Sequence, residues 1–166
     1  TIVAGTLAEA TANNSIVLGG NTSGDVLGER QNITVMFGAI TDDNTTTDAY
    51  LNNSTVATYF EIPINTAIAF QTETIAVRVG GSGAGNVGDF KAFIEVGAVV
   101  CDSVRGLIID KSRTTIANVG TTSGWVSDVV ASGTNFIQQV KGANNRTIEW
   151  ATTMRITQVK TGVTIG

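Results

Sequence analysis

The stretch KGANNRTIEWATTMRITQV, residues 141–159, has the pattern of a turn followed by one long β-strand. From Ile148 to Ile156 every second residue is apolar except Thr152, and the residues between them are mostly polar or charged. A two-residue repeat puts one set of side chains on a buried face of a sheet and the other set in solvent. The pattern therefore predicts that Trp150 belongs to a hydrophobic core.

The rest of the chain contains further short apolar segments, separated by runs rich in Gly, Ser and Asn, the residues that turns require. The segments lack a helical period, so the sequence predicts an all-β fold, an antiparallel β-sandwich or jelly-roll-like domain. The predicted strands are 33–37, 57–62, 67–79, 89–101, 104–109, 114–119, 125–130, 135–141 and 146–159.

The segment 90–100 has the clearest alternation after the last strand. Its even-numbered positions, Phe90 to Val100, are all apolar, whereas Lys91 and Glu95 lie among the odd-numbered positions. We therefore expect Ile94 to share the core with Trp150, and Glu95 to face solvent.

The first fifty residues differ, with isolated apolar pairs between Asn, Gly, Ser and Thr. We expect a short N-terminal β-stalk or docking arm over 1–50 and a β-sandwich domain over 51–166, with the boundary in a polar hinge at 41–55. Apolar surface divided so finely does not make a core of its own, so we expect it to be buried against other chains. The residues concerned include Ile16, Val17, Leu18, Val26, Ile33, Val35 and Phe37.

Composition excludes two classes of partner. The net charge is −4 and the isoelectric point about 4.6, whereas a nucleic-acid-binding protein needs a basic surface. The mean hydropathy is +0.19, yet no apolar run approaches the ~20 residues that span a bilayer, so we expect no membrane insertion. Charged residues make up 14%, below the ~25% typical of globular domains. A low-charge, Thr- and Gly-rich chain suits β-structure on the exterior of a large assembly.

The sequence offers little for catalysis. The chain has no histidine, which excludes Ser/His and Cys/His nucleophilic pairs, and its one cysteine, Cys101, is interpreted as a small buried residue. The Gly-rich run 80–88 lacks the Lys-Ser/Thr of a phosphate-binding loop, so we interpret it as a flexible hairpin tip. A glycan-cleaving site needs two carboxylates ~5–10 Å apart. We expect the four glutamates on predicted strands, Glu61, Glu73, Glu95 and Glu149, to face solvent instead. The sequence therefore predicts no enzyme activity and no cofactor.

Four residues are candidates for binding. Trp125 begins a predicted strand after a turn, where a partly exposed indole would stack on a sugar. Asp42 and Asp43, followed by Asp48, either hold Ca²⁺ or form a solvated turn; their spacing matches no EF-hand, so no metal site is predicted. Tyr50, within the same polar segment, completes the set.

The string VKGANNRTIEWATTMRITQV (140–159) resembles the closing strand pair of the C-terminal β-sandwich domains of bacteriophage tail-fibre and tail-spike proteins. In those domains a V-x-G turn leads into a T-I-x-W-x-A strand and a terminal T-x-V. Upstream segments resemble the same domain's entry strand and central hairpins, in the expected order, over roughly residues 57–160. In addition, ATANNSIVLG (10–19) resembles the short repeats of trimeric viral fibres and of bacterial trimeric adhesin heads.

The resemblance implies a virion structural protein on the exterior surface of a bacteriophage, forming a homotrimer and contacting other virion proteins of the tail or capsid. The leading expectation is a tail-fibre or spike tip that attaches the virion to a host-surface glycan or protein by receptor binding. The alternatives are a capsid decoration or head-fibre protein with a structural role and, less favoured, a glycan-cleaving spike.

The apolar N-terminal residues predict that the chain associates in solution. Light scattering on the full chain should give about 52 kDa, three times the 17.2 kDa of one chain. The association follows from the apolar surface, and the number three from the resemblance to trimeric fibres. A monodisperse species of 17.2 kDa would contradict the prediction.

Overall fold

The computed structural model describes residues 1–20, 27–52, 54–104 and 106–165. Every regular element in these ranges is a β-strand, so the predicted all-β class is confirmed. The same ranges contain no helix that could cross a membrane. The strands are β1 (Ile2–Ala4), β2 (Ile16–Gly19), β3 (Arg30–Thr41), β4 (Thr46–Leu51), β5 (Phe60–Glu61), β6 (Thr66–Gly80), β7 (Phe90–Asp102), β8 (Gly106–Val119), β9 (Val126–Ser132), β10 (Asn135–Lys141) and β11 (Thr147–Lys160).

The last strand, β11, lies in the middle of the sheet and pairs antiparallel with β3 on one side and β6 on the other. Its alternation is confirmed, because Trp150 and the other apolar members of the repeat are buried. Thr152, the exception in the pattern, is buried as well, and its Oγ1 lies 2.8 Å from Oγ1 of Thr74 on β6. The polar position in the apolar face is thus occupied by a hydrogen-bonded pair.

The strands follow the order β5-β10-β4-β3-β11-β6-β7-β8 in one curled sheet, to which β9 adds beside β10 and β2 beside β3. The sheet turns a corner where β3 pairs with β4, because only Phe37 and Gly38 are matched to Leu51 and Tyr50. Beyond this corner β4, β5, β9 and β10 form a smaller layer that faces the larger one.

The hydrophobic core fills the space between the two layers. Phe70 of the large layer meets Phe136 of the small layer edge to face, with ring centroids 4.9 Å apart. Trp150 and Trp125 meet across the same space at 6.2 Å. Aromatic pairs in these arrangements add to the stabilisation from burial itself.

Two expectations about the first fifty residues are corrected. The polar segment predicted as a hinge is a hairpin, in which β4 follows β3 after a short turn and pairs with β10. Several apolar residues expected between chains are instead buried in this chain's own core, because β3 pairs along its length with β11. They are Val17, Ile33, Val35 and Phe37. Ile16 and Leu18 are exposed, and Val26 lies outside the described residues.

The expected orientation of β7 is wrong. Phe93 and Val99 face the core, whereas Ile94 lies on the opposite face of the sheet and is half-buried. The strand has apolar residues on both faces, so its period did not identify the inner one. Glu95 is therefore buried rather than exposed, and it is charge-paired: its Oε1 lies 3.0 Å from Nζ of Lys111 on β8.

Three cationic side chains from β7 and β8, the last two strands of the large layer, reach β9. Lys91 Nζ donates to the carbonyl of Trp125 at 3.0 Å, Arg113 donates to the carbonyl of Ser127 at 2.6 Å, and Lys111 donates to the carbonyl of Val129. These three carbonyls belong to every second residue of the chain, so they point to the same side of β9. We call this contact the cationic seam; it takes the place of a backbone ladder between β8 and β9.

The Gly-rich run 80–88 is a structured loop. The Arg78 guanidinium donates to four of its carbonyls, those of Gly80, Gly81, Gly83 and Ala84, at 2.8–2.9 Å. Carbonyls directed at a cation are the opposite of the N–H groups that a phosphate-binding loop directs at its ligand. The run thus lies at the tip of the β6–β7 hairpin, as expected, but it is tied to one side chain, where the sequence suggested a flexible segment.

Glu95 and Lys111 generate a stability prediction. Burial raises the pKa of Glu95, and Lys111 opposes that rise. Lys111→Met leaves a buried carboxylate without its partner and should cost about 3–5 kcal/mol at pH 7. Glu95→Gln should cost less, because Lys111 keeps Asp128, 2.6 Å away.

The pH dependence gives a control for this prediction. A carboxyl whose folded pKa is raised favours folding when it is protonated, so the Lys111→Met penalty should shrink as the pH falls toward 4.5, the ordinary glutamate value. Urea unfolding at several pH values measures it. In the double variant Glu95→Gln/Lys111→Met this recovery should be absent; an equal recovery there would assign it to other groups.

Candidate binding surface

The four candidate binding residues lie in three different environments. Asp42 and Asp43 are exposed in the turn between β3 and β4, and Tyr50 is half-buried near the end of β4. Trp125 is 1% exposed and belongs to the core between the layers. The structure thus separates residues that the sequence grouped as one candidate set.

The expected exposure of Trp125 is wrong. The residue does follow a turn, but its side chain points inward onto Trp150 and its carbonyl accepts from Lys91 in the cationic seam. Stacking on a sugar needs an open ring face, and this indole has none. Its neighbours therefore give Trp125 a packing role.

The acidic residues of the β3–β4 hairpin do not converge. Asp43 Oδ1 accepts from the backbone N–H of Thr45 at 2.7 Å, as is typical of a side chain that closes its own turn. Asp48 lies farther along β4 with different partners. No group of three His, Cys, Asp or Glu side chains suited to a metal ion occurs in the ranges that the structure describes.

Tyr50 instead forms a cluster with Asp48 and with two residues that the sequence did not single out, Tyr59 and Gln139. The chain's two tyrosines, Tyr50 and Tyr59, meet edge to face with ring centroids 5.7 Å apart. Tyr59 donates to Asp48 Oδ2 at 2.9 Å, and Gln139 Nε2 donates to Asp48 Oδ1 at 2.9 Å. We call these four residues the tyrosine platform; all are half-buried and lie on the outer side of the small layer.

Strand geometry places the platform. Along β4 the side chains of Ala49 and Leu51 enter the core, so Asp48 and Tyr50 point outward. Gln139 stands directly opposite Asp48 on β10. The chain before β5 is tied back to β4 by the N–H of Leu51, which donates to the carbonyl of Thr58 at 3.1 Å and so brings Tyr59 alongside.

The platform has a defined protonation state. The hydrogen bond to Asp48 raises the pKa of the Tyr59 phenol to about 12, with burial adding to the effect. Near neutral pH the phenol is therefore a hydrogen-bond donor and Asp48 is its charged acceptor. Both carboxylate oxygens of Asp48 accept hydrogen bonds, from Tyr59 and from Gln139. The platform therefore presents tyrosine ring surface beside polar groups that are held in place.

Alternation of Asp48 and Tyr50 with apolar neighbours was the sequence signal for the platform. The segment around it is rich in Thr and Asn, which favours a polar hinge over a strand and obscures the alternation. No local pattern links Tyr59 or Gln139 to Asp48, since Gln139 lies on a strand far along the chain.

The remaining candidates for catalysis are apart from one another. Glu61, Glu73 and Glu149 are exposed, as expected. Glu73 pairs with Arg155 at 3.2 Å on the outer side of the large layer, and Glu61 accepts from Thr134 at 3.1 Å beside β5. Cys101 is buried, as expected, and burial raises its pKa, which keeps the thiol protonated and unreactive.

Comparison with known proteins finds a distant likeness in structure. No protein-family model and no curated protein matches this sequence. Among solved structures, the chain is similar to the tailspike protein of Acinetobacter baumannii phage AM24, with 12% identity and a TM-score of 0.40. The match covers 75% of this chain and 27% of the tailspike. A likeness at this level carries no argument about function.

Titration of the platform tests its hydrogen bonding. Asp48→Asn removes the charge that disfavours ionisation of Tyr59, so its pKa should fall from about 12 toward the ordinary 10.0. Ultraviolet absorbance of phenolate, with Tyr50→Phe as the background to isolate Tyr59, measures the shift. An unchanged titration in the Asp48→Asn variant would contradict the assigned contact.

Proposed function

We propose that the chain is a bacteriophage protein of the virion exterior, and that its tyrosine platform attaches the virion to a host-surface glycan. The observation that carries the proposal is the meeting of the two tyrosines beside Asp48 and Gln139 on an accessible sheet face. The resemblance of residues 57–160 to tail-fibre and tail-spike domains supports the phage assignment.

The platform combines the two kinds of contact that a sugar offers. Pyranose rings present C–H faces that pack on aromatic rings, and hydroxyl groups that exchange hydrogen bonds with carboxylates and amides. Tyrosine supplies large contact area with little conformational entropy to lose. Because Tyr59, Asp48 and Gln139 already hold one another, the surface is preorganised, and binding orders few side chains.

The proposed activity is binding without cleavage. Asp128 stands opposite Gln139 on the strand beyond it, so it is the carboxylate closest in register to Asp48. However, Asp128 is paired with Lys111 at 2.6 Å, and Asp48 is occupied by Tyr59 and Gln139. Both carboxylates are therefore engaged by donors within the protein, and neither is directed at an open position between them as glycoside hydrolysis requires.

A docking role for the N-terminal segment accompanies this proposal and favours capsid decoration as the second candidate. In β1 and β2 the side chains of Ile2, Val3, Ile16 and Leu18 are exposed. Such residues fit contact with another virion protein of the tail or capsid. In the decoration alternative this contact is the main function and the platform has no glycan partner.

Binding to an array of bacterial surface glycans tests the function. Tyr50→Ala should lower affinity for any bound glycan by about tenfold or more, which corresponds to ~1.4 kcal/mol. Tyr50→Phe retains the ring and should stay within about twofold of the native chain, because ring packing supplies most of the contact. Assay of reducing ends in the same samples should show no increase.

Two outcomes would contradict the proposal. Equal glycan binding by the native chain and Tyr50→Ala would show that the glycan contacts a surface other than the tyrosine platform. Failure of the native chain to bind any glycan, together with saturable binding to isolated phage heads that Leu18→Glu abolishes, would favour capsid decoration.

A further inference from the structure

A polar cleft lies beside the tyrosine platform, on the same outer side of the small layer. It has a volume of about 120 Å³ and is bounded by strands β4, β9 and β10. Gln139 belongs to both the cleft and the platform, so the two are continuous. The residues that line the cleft are Thr46, Val126, Asp128, Gln139, Val140 and Lys141.

Strand geometry sets the distance from the cleft to the platform. Gln139 and Lys141 alternate with core residues of β10, so both side chains face outward. Lys141 stands opposite Thr46 on β4 and Val126 on β9, which places these three residues in one row across the small layer. Four residues separate this row from Tyr50 along β4, a distance of ~13 Å. The cleft and the Tyr50 ring thus lie on opposite sides of Gln139, farther apart than the width of one sugar ring.

Lys141 supplies an uncommitted positive charge to the cleft. Every other cationic side chain that the structure describes has an ion pair or a hydrogen bond, whereas the Lys141 side chain has neither with the rest of the described chain. The two carboxylates of the neighbouring row are already engaged, Asp128 by Lys111 at 2.6 Å and Asp48 by Tyr59 at 2.9 Å. The Lys141 ammonium is therefore available as a donor to an anionic group.

The carboxylate of an acidic sugar fits this arrangement. Hydrogen bonds between an ammonium and a carboxylate are roughly twice as strong as those between neutral groups. Beside Lys141, the Thr46 hydroxyl and the Gln139 amide can exchange hydrogen bonds with sugar hydroxyls. A group with a single negative charge is favoured over a doubly charged phosphate, because Asp48 and Asp128 in the neighbouring row would repel the second charge.

From these observations we infer that the cleft is a second sugar subsite, in which Lys141 binds the carboxylate of an acidic sugar while a neighbouring sugar packs on the tyrosine platform. This inference rests on the proposed glycan binding and names its substrate class, an oligosaccharide that contains a uronic acid. Because Gln139 links the two subsites on one sheet face, a single extended glycan can occupy both.

Matched glycans test the inference. Glycans of the bacterial array that contain uronic acid are compared with the same glycans after chemical reduction of their carboxyl groups to alcohols. Reduction should weaken binding to the native chain about fivefold or more, because one charge-assisted contact is lost. It should change binding to Lys141→Met by less than about twofold, whereas Lys141→Arg keeps the charge and should still discriminate. Lys160→Met, which removes the same charge from the end of β11 in the large layer, should behave as the native chain does.

Circular dichroism identifies any variant that fails to fold, and the comparison of native and reduced glycans on the native chain needs no variant. Equal affinity for both forms, or binding of neutral glycans alone, would overturn the inference and leave the platform proposal standing. If Lys141→Met weakens binding of acidic and reduced glycans by the same factor, Lys141 does not contact the carboxylate and the inference fails. If no glycan binds, the proposed function fails and this inference fails with it.

Discussion

The cationic seam is the contact on which closure of the fold depends. Among the described residues β8 pairs with β7 and β9 pairs with β10, so no backbone ladder joins β8 to β9. Lys91, Lys111 and Arg113 supply donors to the carbonyls of β9, and Glu95 accepts from the N–H of Val129 at 3.1 Å. Backbone hydrogen bonds join strands only at a spacing of about 4.8 Å, whereas the long side chains of Lys and Arg reach across a wider separation. The edge is also protected against pairing with another chain.

Polar side chains inside the core fix how the two layers meet. Gln138 of the small layer donates to Ser127 at 2.8 Å, Ser127 donates to Thr74 at 3.1 Å, and Thr74 bonds Thr152 in the large layer. Apolar contacts alone tolerate sliding of one layer over the other, whereas displaced hydrogen bonds would leave buried groups unsatisfied. Thr152, the polar exception in the apolar repeat of β11, is one end of this series of hydrogen bonds.

The sequence predicted the strands whose two faces differ in polarity and failed where they do not. Alternation around Trp150 identified β11 and its inner face. In β7 both faces are apolar, so the inner one is decided by Glu95 and Lys111, which pair only after β7 and β8 meet. The platform has the same limitation, because Asp48, Tyr59 and Gln139 come together through pairing of distant strands. Trp125 is likewise buried because it packs on Trp150 of the large layer, a contact that the residues around Trp125 in the sequence do not predict.

The Arg78 contact has a consequence for how the Gly-rich loop withstands proteases. Glycine-rich surface loops are ordinarily preferred sites of cleavage by proteases, because such segments easily adopt the extended form that a protease requires. Here one guanidinium holds the carbonyls of Gly80, Gly81, Gly83 and Ala84, and Asp89 accepts from the N–H groups of Asn86 and Thr121. The loop gains order without apolar side chains of its own. We therefore expect this loop to resist digestion because one buried arginine holds it.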